Sequence, residues 1–154
     1  MEHTSGIMFP IQNERGERLL SVEEIDEAAA TTLPVAFSLI IGRNDLGFLL
    51  VHNAKRKVWE LPGGFIDAGE TARQCAVREL EEESGHRVSE LRWRAAIEIE
   101  AMNKIRYGAL YCAHIAGPRP FVGNSEIDSI GYWPVCGLPA RVSAIDRALL
   151  AYYS

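Results

Sequence analysis

Between Gly69 and Gly85 the sequence reads Glu70-Thr71-Ala72-Arg73-Gln74-Cys75-Ala76-Val77-Arg78-Glu79-Leu80-Glu81-Glu82-Glu83-Ser84. Helical spacing places Ala72, Cys75, Ala76, Glu79, Leu80 and Glu83 at i, i+3, i+4, i+7, i+8 and i+11, one continuous stripe. Two glutamates therefore stand where core residues belong. Glu82 falls at the edge of that stripe, about 60° from Glu79 at roughly 100° per residue, and Glu81 points toward solvent. A bare Glu81-Glu82-Glu83 triplet reads as a solvated helix end, although acidic groups there oppose the helix dipole.

Carboxylates crowded on an apolar face repel one another and lose hydration unless protons or cations compensate. Oxygen donors without imidazole or thiolate neighbours suit a hard divalent ion, Mg²⁺ or Mn²⁺. Such an ion usually keeps waters and accepts phosphate oxygens as further ligands. The stripe thus points to a metal site built for a phosphate ligand.

The elements around this helix must position it. Gly85 suits a left-handed cap that ends it. Val35 to Ile41 and Phe48 to Val51 are apolar runs joined by Gly42-Arg43-Asn44-Asp45, the composition of two buried strands and a turn. A second strand pair is expected over Leu91 to Glu100 and Ile105 to His114, around Met102-Asn103-Lys104. Ile127 to Val135 is strand-like but interrupted by Gly131 and Pro134. Ser143 is placed to cap a last helix with Ile145, Ala148, Leu149 and Tyr152 on one stripe. Near the N-terminus, Ile7 to Gln12 and Glu17 to Leu20 flank a turn-like Asn13-Glu14-Arg15-Gly16, which suggests a hairpin. Ser21 with Glu24 resembles a capping box, and Val22, Ile25, Ala28 and Ala29 then predict a short helix before Pro34. The whole reads as an α/β fold.

The 154 residues suit a single domain, 1–154, and no repeat or linker divides them. An apolar share of 47% and a net charge of −5 describe a globular acidic chain and argue against stable nucleic-acid binding, which needs a basic face. Cys75, Cys112 and Cys136 are scattered, with no CxxC pair, which favours a reducing compartment. No signal peptide or membrane span is evident, so the expected location is the cytoplasm with no membrane partner.

Gly64, Glu70, Arg78, Glu79, Leu80, Glu82, Glu83 and Gly85 match G-x5-E-x7-R-E-U-x-E-E-x-G-U, U being aliphatic, in register. Residues 64–86 therefore resemble the Nudix box of MutT-like hydrolases. Chance agreement at these positions is on the order of 10⁻⁹ per start at ordinary residue frequencies. One position departs: His86 stands where the pattern has Ile, Leu or Val, and it is expected to serve as a partly buried packing substitute. Trp59-Glu60-Leu61-Pro62-Gly63-Gly64 resembles the family's lead-in, and Glu126 to Pro134 its late segment. The resemblance implies a Nudix-type α/β/α sandwich with a mixed β-sheet.

It also implies roles. Glu79, Glu82 and Glu83 resemble the metal-binding carboxylates, joined by the backbone carbonyl of Gly63. Glu82 or Glu83 is a candidate for activating the attacking water, and Glu126 is a candidate for a further ligand or general base, against its reading as a loop or capping glutamate. Glu70 and Arg78 resemble a bracing pair, and Gly64 and Gly85 the turn glycines. The implied activity is Mg²⁺- or Mn²⁺-dependent hydrolysis of nucleoside diphosphate derivatives.

Substrate-binding residues are not evident. Lys55-Arg56-Lys57 is a basic loop that could meet phosphates or stay solvated, and Trp93, Trp133 and Phe37 read as core. Marks of the ADP-ribose, dinucleoside polyphosphate and NADH subgroups are missing at their expected positions, which leaves an ordinary or modified nucleoside triphosphate as the favoured substrate. ADP-ribose or nucleotide-sugar hydrolysis and a non-catalytic nucleotide-binding module are the alternatives. Residues 1–32 form an N-terminal hairpin and helix extension, open to use as a homodimer contact or as a cover for the sheet.

Overall fold

The computed structural model describes residues 6–154; residues 1–5 of the N-terminal extension lie outside them. Strands β1 (Ile11–Gln12) and β2 (Arg18–Glu23) precede helix α1 (Glu27–Ala30). Then come β3 (Val35–Asn44), β4 (Gly47–Asn53), β5 (Val58–Glu60), β6 (Gly63–Phe65) and the acidic helix α2 (Ala72–Ser84). The chain continues with β7 (Arg92–Ala101), β8 (Lys104–His114), β9 (Ile127–Trp133) and helix α3 (Ala144–Leu149).

The strands make one sheet in the order β1-β2-β7-β8-β3-β4-β5, with β6 added to β3 and β9 to β4. β3 and β8 run parallel, in the register Ile40↔Tyr111, and every other pairing is antiparallel. The sheet is therefore mixed, as expected. Its central strands are apolar on both faces because both are covered. Ile41, Leu50, Leu110 and Cys112 pack with Ile145 and Leu149 of α3, whereas Ile40, Leu49, Ala109 and Tyr111 pack with Ala76 and Leu80 of α2. Alternate residues thus supply the two layers of an α/β/α sandwich.

β3 is shared between partners. It meets β4 only at Arg43↔Phe48 and Asn44↔Gly47, and its earlier residues Phe37, Ser38 and Leu39 pair instead with Phe65, Gly64 and Gly63 of β6. The two strands part below their common turn. The turn between β7 and β8 uses Met102 and Asn103, both at positive φ (53° and 62°), and Lys104 already pairs with Ala101. Such a two-residue turn matches the twist of its strands.

The N-terminal extension departs from the sequence expectation. The hairpin forms, with Ile11 opposite Leu19, but Ser21 and Val22 continue β2 against Glu98 and Ile97 of β7 rather than opening a helix. Sheet pairing here outweighs a local capping signal, and the Ser21 hydroxyl donates to Glu98 Oε1 (2.8 Å). Helix formation waits for Asp26, whose side chain accepts from the Ala29 amide (2.7 Å). Ser143 precedes α3 as expected, yet its side chain makes no capping bond.

Candidate active site

α2 begins at a reciprocal capping box, in which Thr71 accepts from the Gln74 amide and Gln74 accepts from the Thr71 amide. It ends at Gly85, φ 80°, whose amide donates to Glu81 O (2.8 Å). Between these ends the apolar stripe is set into the sheet: Cys75, Ala76 and Leu80 are fully buried, and Ser38 on β3 donates to Ala72 O (2.7 Å). The stripe carries Glu83 to 8% exposure and leaves Glu79 half-buried, while Glu82 is exposed.

The strand-like segment before α2 closes over these carboxyls. The Gly63 amide donates to Glu83 Oε1 (3.0 Å). A Cβ at Gly64 would lie 2.3 Å from Glu79 Oε2, so the carboxyl rests directly on the backbone there, and only glycine leaves it room. Arg78 ties the loop that follows to the helix. Its Nε and Nη2 hold Glu70 (2.7 and 3.0 Å), Nη2 also reaches Phe65 O (3.2 Å), and Nη1 bridges Glu79 and Glu82 (3.2 Å each).

Electrostatics follow from this layout. Burial pushes Glu83 up to about 8, and the neighbouring Glu79, Glu60 and Glu126 add to the rise against the lowering bond from Gly63. Burial also raises Glu79, although Arg78 opposes it. Glu70, half-buried and gripped by Arg78 with a second bond from the Asp67 amide, is held down to about 2. The loop before the helix thus supplies an acid kept ionised for bracing, and the helix carries two acids whose charge is costly without a positive partner.

Glu79, Glu83, Gly63, Gly64 and Glu126 open onto a cavity of about 620 Å³. Glu126 arrives from the loop before β9, where Asn124 Oδ1 accepts the amides of Glu126 and Ile127 (2.8 Å each) and Asn124 Nδ2 donates to Glu82 O (3.4 Å). Phe37, expected in the core, lines this cavity, as do Lys55 and Arg56 of the basic loop. Arg56 is paired with Glu60 (3.0 Å).

Glu79, Glu83 and Glu126 line one cavity with Gly63, Glu82 stays off its wall, and these oxygen donors with a desolvated pair of carboxyls fit a hard divalent cation. Among the described residues, no three Asp, Glu, His or Cys side chains are arranged around a common point, because Glu79 and Glu82 turn to Arg78. Holding an ion with Glu83 requires these two to exchange that guanidinium contact for the cation.

The family model for the NUDIX domain matches residues 32–127, more than half of the chain. The chain belongs to the Nudix hydrolase family. It is 30% identical over 116 residues to an NAD-capped RNA hydrolase NudC of Vibrio atlanticus, covering 73% of this chain and 42% of that protein. It is 30% identical over 97 residues to an ADP-ribose pyrophosphatase of Mycobacterium tuberculosis, covering 59% of this chain and 46% of that protein. The chain therefore spans less than half the length of these relatives. Among solved structures, the Bacillus subtilis pyrophosphohydrolase BsRppH superposes with a TM-score of 0.69 at 20% identity, over 91% of this chain and 89% of that one. That likeness shows the shared Nudix fold.

Within the Nudix box the departing residue has a structural part. His86 is 1% exposed, its Nε2 lies 2.6 Å from the Tyr132 hydroxyl, and the rings meet edge to face. It fills the aliphatic position as a more deeply buried group than expected. Sequence reasoning missed Asp146, which α3 buries at the same cavity and whose Oδ2 accepts from the Leu61 amide (2.9 Å). A lone aspartate beside Ile145 on a short helix carries no signal for this. It also missed β5 and β6, each three residues long.

Proposed function

We propose that this Nudix chain is a Mg²⁺- or Mn²⁺-dependent pyrophosphohydrolase of nucleoside diphosphate derivatives, and that its preferred substrate is an ordinary or modified nucleoside triphosphate, cleaved to monophosphate and pyrophosphate. One observation carries this reading: Glu79 and Glu83, on the buried stripe of α2, open together onto a cavity of nucleotide size. Glu79, Glu82, Glu83 and the Gly63 carbonyl would hold the cation. When bound, it neutralises phosphate charge and acidifies water.

The protein's own groups supply the rest. Glu82, Glu83 or Glu126 takes a proton from water as it attacks phosphorus in line, and a phosphate or pyrophosphate leaves. Gly63 fixes one oxygen of Glu83 through its amide, which orients the carboxyl toward the cavity. Glu70 and Arg78 keep the loop and helix in register, while Lys55 and Arg56 on the cavity wall meet substrate phosphates. The three free cysteines suit the cytoplasm, where the nucleotide pool is. Residues 1–154 are taken as a single Nudix unit whose N-terminal extension is available for a homodimer contact.

The name of the mycobacterial relative favours a second reading, an ADP-ribose or nucleotide-sugar pyrophosphatase. A panel of canonical and oxidised nucleoside triphosphates, ADP-ribose, nucleotide sugars and dinucleoside polyphosphates, assayed with Mg²⁺, separates the two. Faster turnover of ADP-ribose than of every triphosphate would select the second. Equal, background-level rates for wild type and Glu83→Gln across the panel would leave only a nucleotide-binding module.

A further inference from the structure

A buried aspartate far along the chain stands behind the segment that holds Glu83. β5 ends at Glu60 and β6 begins at Gly63, so Leu61 and Pro62 span a break in the strand ladder. Proline has no amide hydrogen, which leaves the Leu61 amide as the only backbone donor of that break. Asp146 accepts it at 2.9 Å.

The contact is the last of a series. The Trp59 amide donates to Arg141 O (2.9 Å), the Ser143 amide donates to Trp59 O (3.0 Å), and Asp146 then takes the amide two residues further on. The start of α3 is thereby zipped along residues 59–61. Immediately beyond, Pro62 O accepts from Ile40 on β3 (3.0 Å), and the Gly63 amide donates to Glu83. Three consecutive residues are thus anchored to α3, β3 and α2 in turn.

Burying a carboxyl costs more than one neutral hydrogen bond returns, so stability alone does not account for Asp146. It is 9% exposed, and Glu60 beside it and Glu17 on the N-terminal hairpin make its charge still less favourable. No buried side-chain oxygen or nitrogen among the described residues lacks a partner, and Asp146 lines the cavity. A single directed bond, to Leu61, is what the side chain contributes.

We infer that Asp146 is a positioning residue: by fixing the Leu61 amide it sets the Leu61-Pro62-Gly63 segment, and through the Gly63 amide it sets the carboxyl of Glu83. This inference rests on the hydrolase reading only for its effect on rate. Its structural half concerns the protein alone.

The test uses the whole chain, without added metal, and follows amide hydrogen exchange at Leu61, Gly63 and Leu80 in wild type, Asp146→Leu and Asp146→Asn. Leucine fills the volume without accepting a bond; the asparagine amide oxygen still accepts one. In Asp146→Leu, exchange at both Leu61 and Gly63 is expected to speed at least tenfold while Leu80, inside α2, keeps its protection. Asp146→Asn restores both amides to within threefold. In the panel assay, kcat of Asp146→Leu falls at least 30-fold with KM changed less than threefold, and asparagine again rescues. If Leu80 also loses protection in the leucine variant, Asp146→Ser, too short to reach Leu61, replaces it under the same criteria.

Unchanged exchange at Gly63 when that of Leu61 has risen would overturn the inference, as would a rate loss lying wholly in KM. If wild type turns over no nucleotide, the hydrolase reading fails while the exchange comparison still decides the role of Asp146.

Discussion

The carboxylate of Glu70 lies in the fork of Arg78, with Oε2 2.7 Å from Nε and Oε1 3.0 Å from Nη2. Because the same guanidinium reaches Phe65 O, Glu79 and Glu82, this pair fixes where the loop after β6 meets the acidic helix. Glu70→Gln keeps the shape and removes the charge. It is expected to lower activity about 10–100-fold with little change in KM, as losses behind a metal site usually do. Arg78→Lys should not restore function, since an ammonium cannot serve two carboxylate oxygens and a carbonyl in one plane. Steady-state kinetics on the best substrate check both. The brace should also persist into strong acid: with Glu70 held down to about 2, its contribution is present above the ordinary carboxylate range and is lost only as pH falls toward that value.

Gly64→Ala probes the contact between backbone and Glu79. The added methyl would sit 2.3 Å from the end of a flexible side chain, so the carboxyl moves and the fold survives. Rate should fall on the order of 100-fold, the usual consequence of a misplacement near one ångström. The melting temperature should change by only a few degrees. Gly63→Ala behaves differently, because its methyl would meet Ser38 O at 2.2 Å, a backbone atom, and there thermal stability collapses along with activity.

Two buried acids make stability fall with pH. Glu83 and Asp146 are each pushed up to about 8 by burial, whereas both titrate near pH 4 in the unfolded chain. Between those values the folded state binds more protons than the unfolded one, so their contribution is complete below about pH 4 and is lost as pH rises through 8. Melting temperatures of the metal-free protein recorded from pH 5 to 8.5 should decline, and Glu83→Gln and Asp146→Asn should each flatten the decline. A profile identical in wild type and both variants would contradict the assignment.

Much of this could be read before the structure, and the reasons for the rest are specific. The stripe from Ala72 to Glu83 was legible because helical periodicity is local, and the same holds for the apolar runs that became β3 and β4. Ser21 misled because its pairing partner, Glu98, lies 77 residues away, and pairing with β7 decided its state. Gly63 to Phe65 is too short and too rich in glycine to look like a strand, and it becomes one only because β3 offers it a ladder. Asp146 looks like an exposed helical polar residue until the Leu61 amide is brought against it.

Cation binding should be visible without turnover. Mn²⁺ is expected to raise the melting temperature of wild type, since an ion that binds only the folded state stabilises it by mass action. The variant with Glu79, Glu82 and Glu83 all changed to glutamine should show no such rise. The same shift in both proteins would place the ion elsewhere.

His86 and Tyr132 form a polar pair in a position usually given to an aliphatic side chain. His86→Leu removes the imidazole partner of the Tyr132 hydroxyl, which the backbone of Arg119 also meets, and should destabilise the fold by about 1–3 kcal/mol. Adding Tyr132→Phe should recover much of that loss, because removing both polar groups also removes the desolvation penalty. Denaturant unfolding of the two single variants and the double measures the coupling. Turnover should be far less affected than by changes at Glu79 or Glu83, since the pair packs beyond the C-terminal end of α2.

β3 and β4 share two residue pairs and then diverge, each taking other partners. The opening between them is framed by main-chain ladders, so its width is set by strand register and not by the swing of two lobes. A ligand enters a vestibule that already stands open. Of the segment 116–126, Glu126 reaches the cavity wall and Asn124 donates to Glu82 O on α2. Lengthening or trimming that segment should therefore shift where Glu126 stands while leaving the acidic helix and its frame in place.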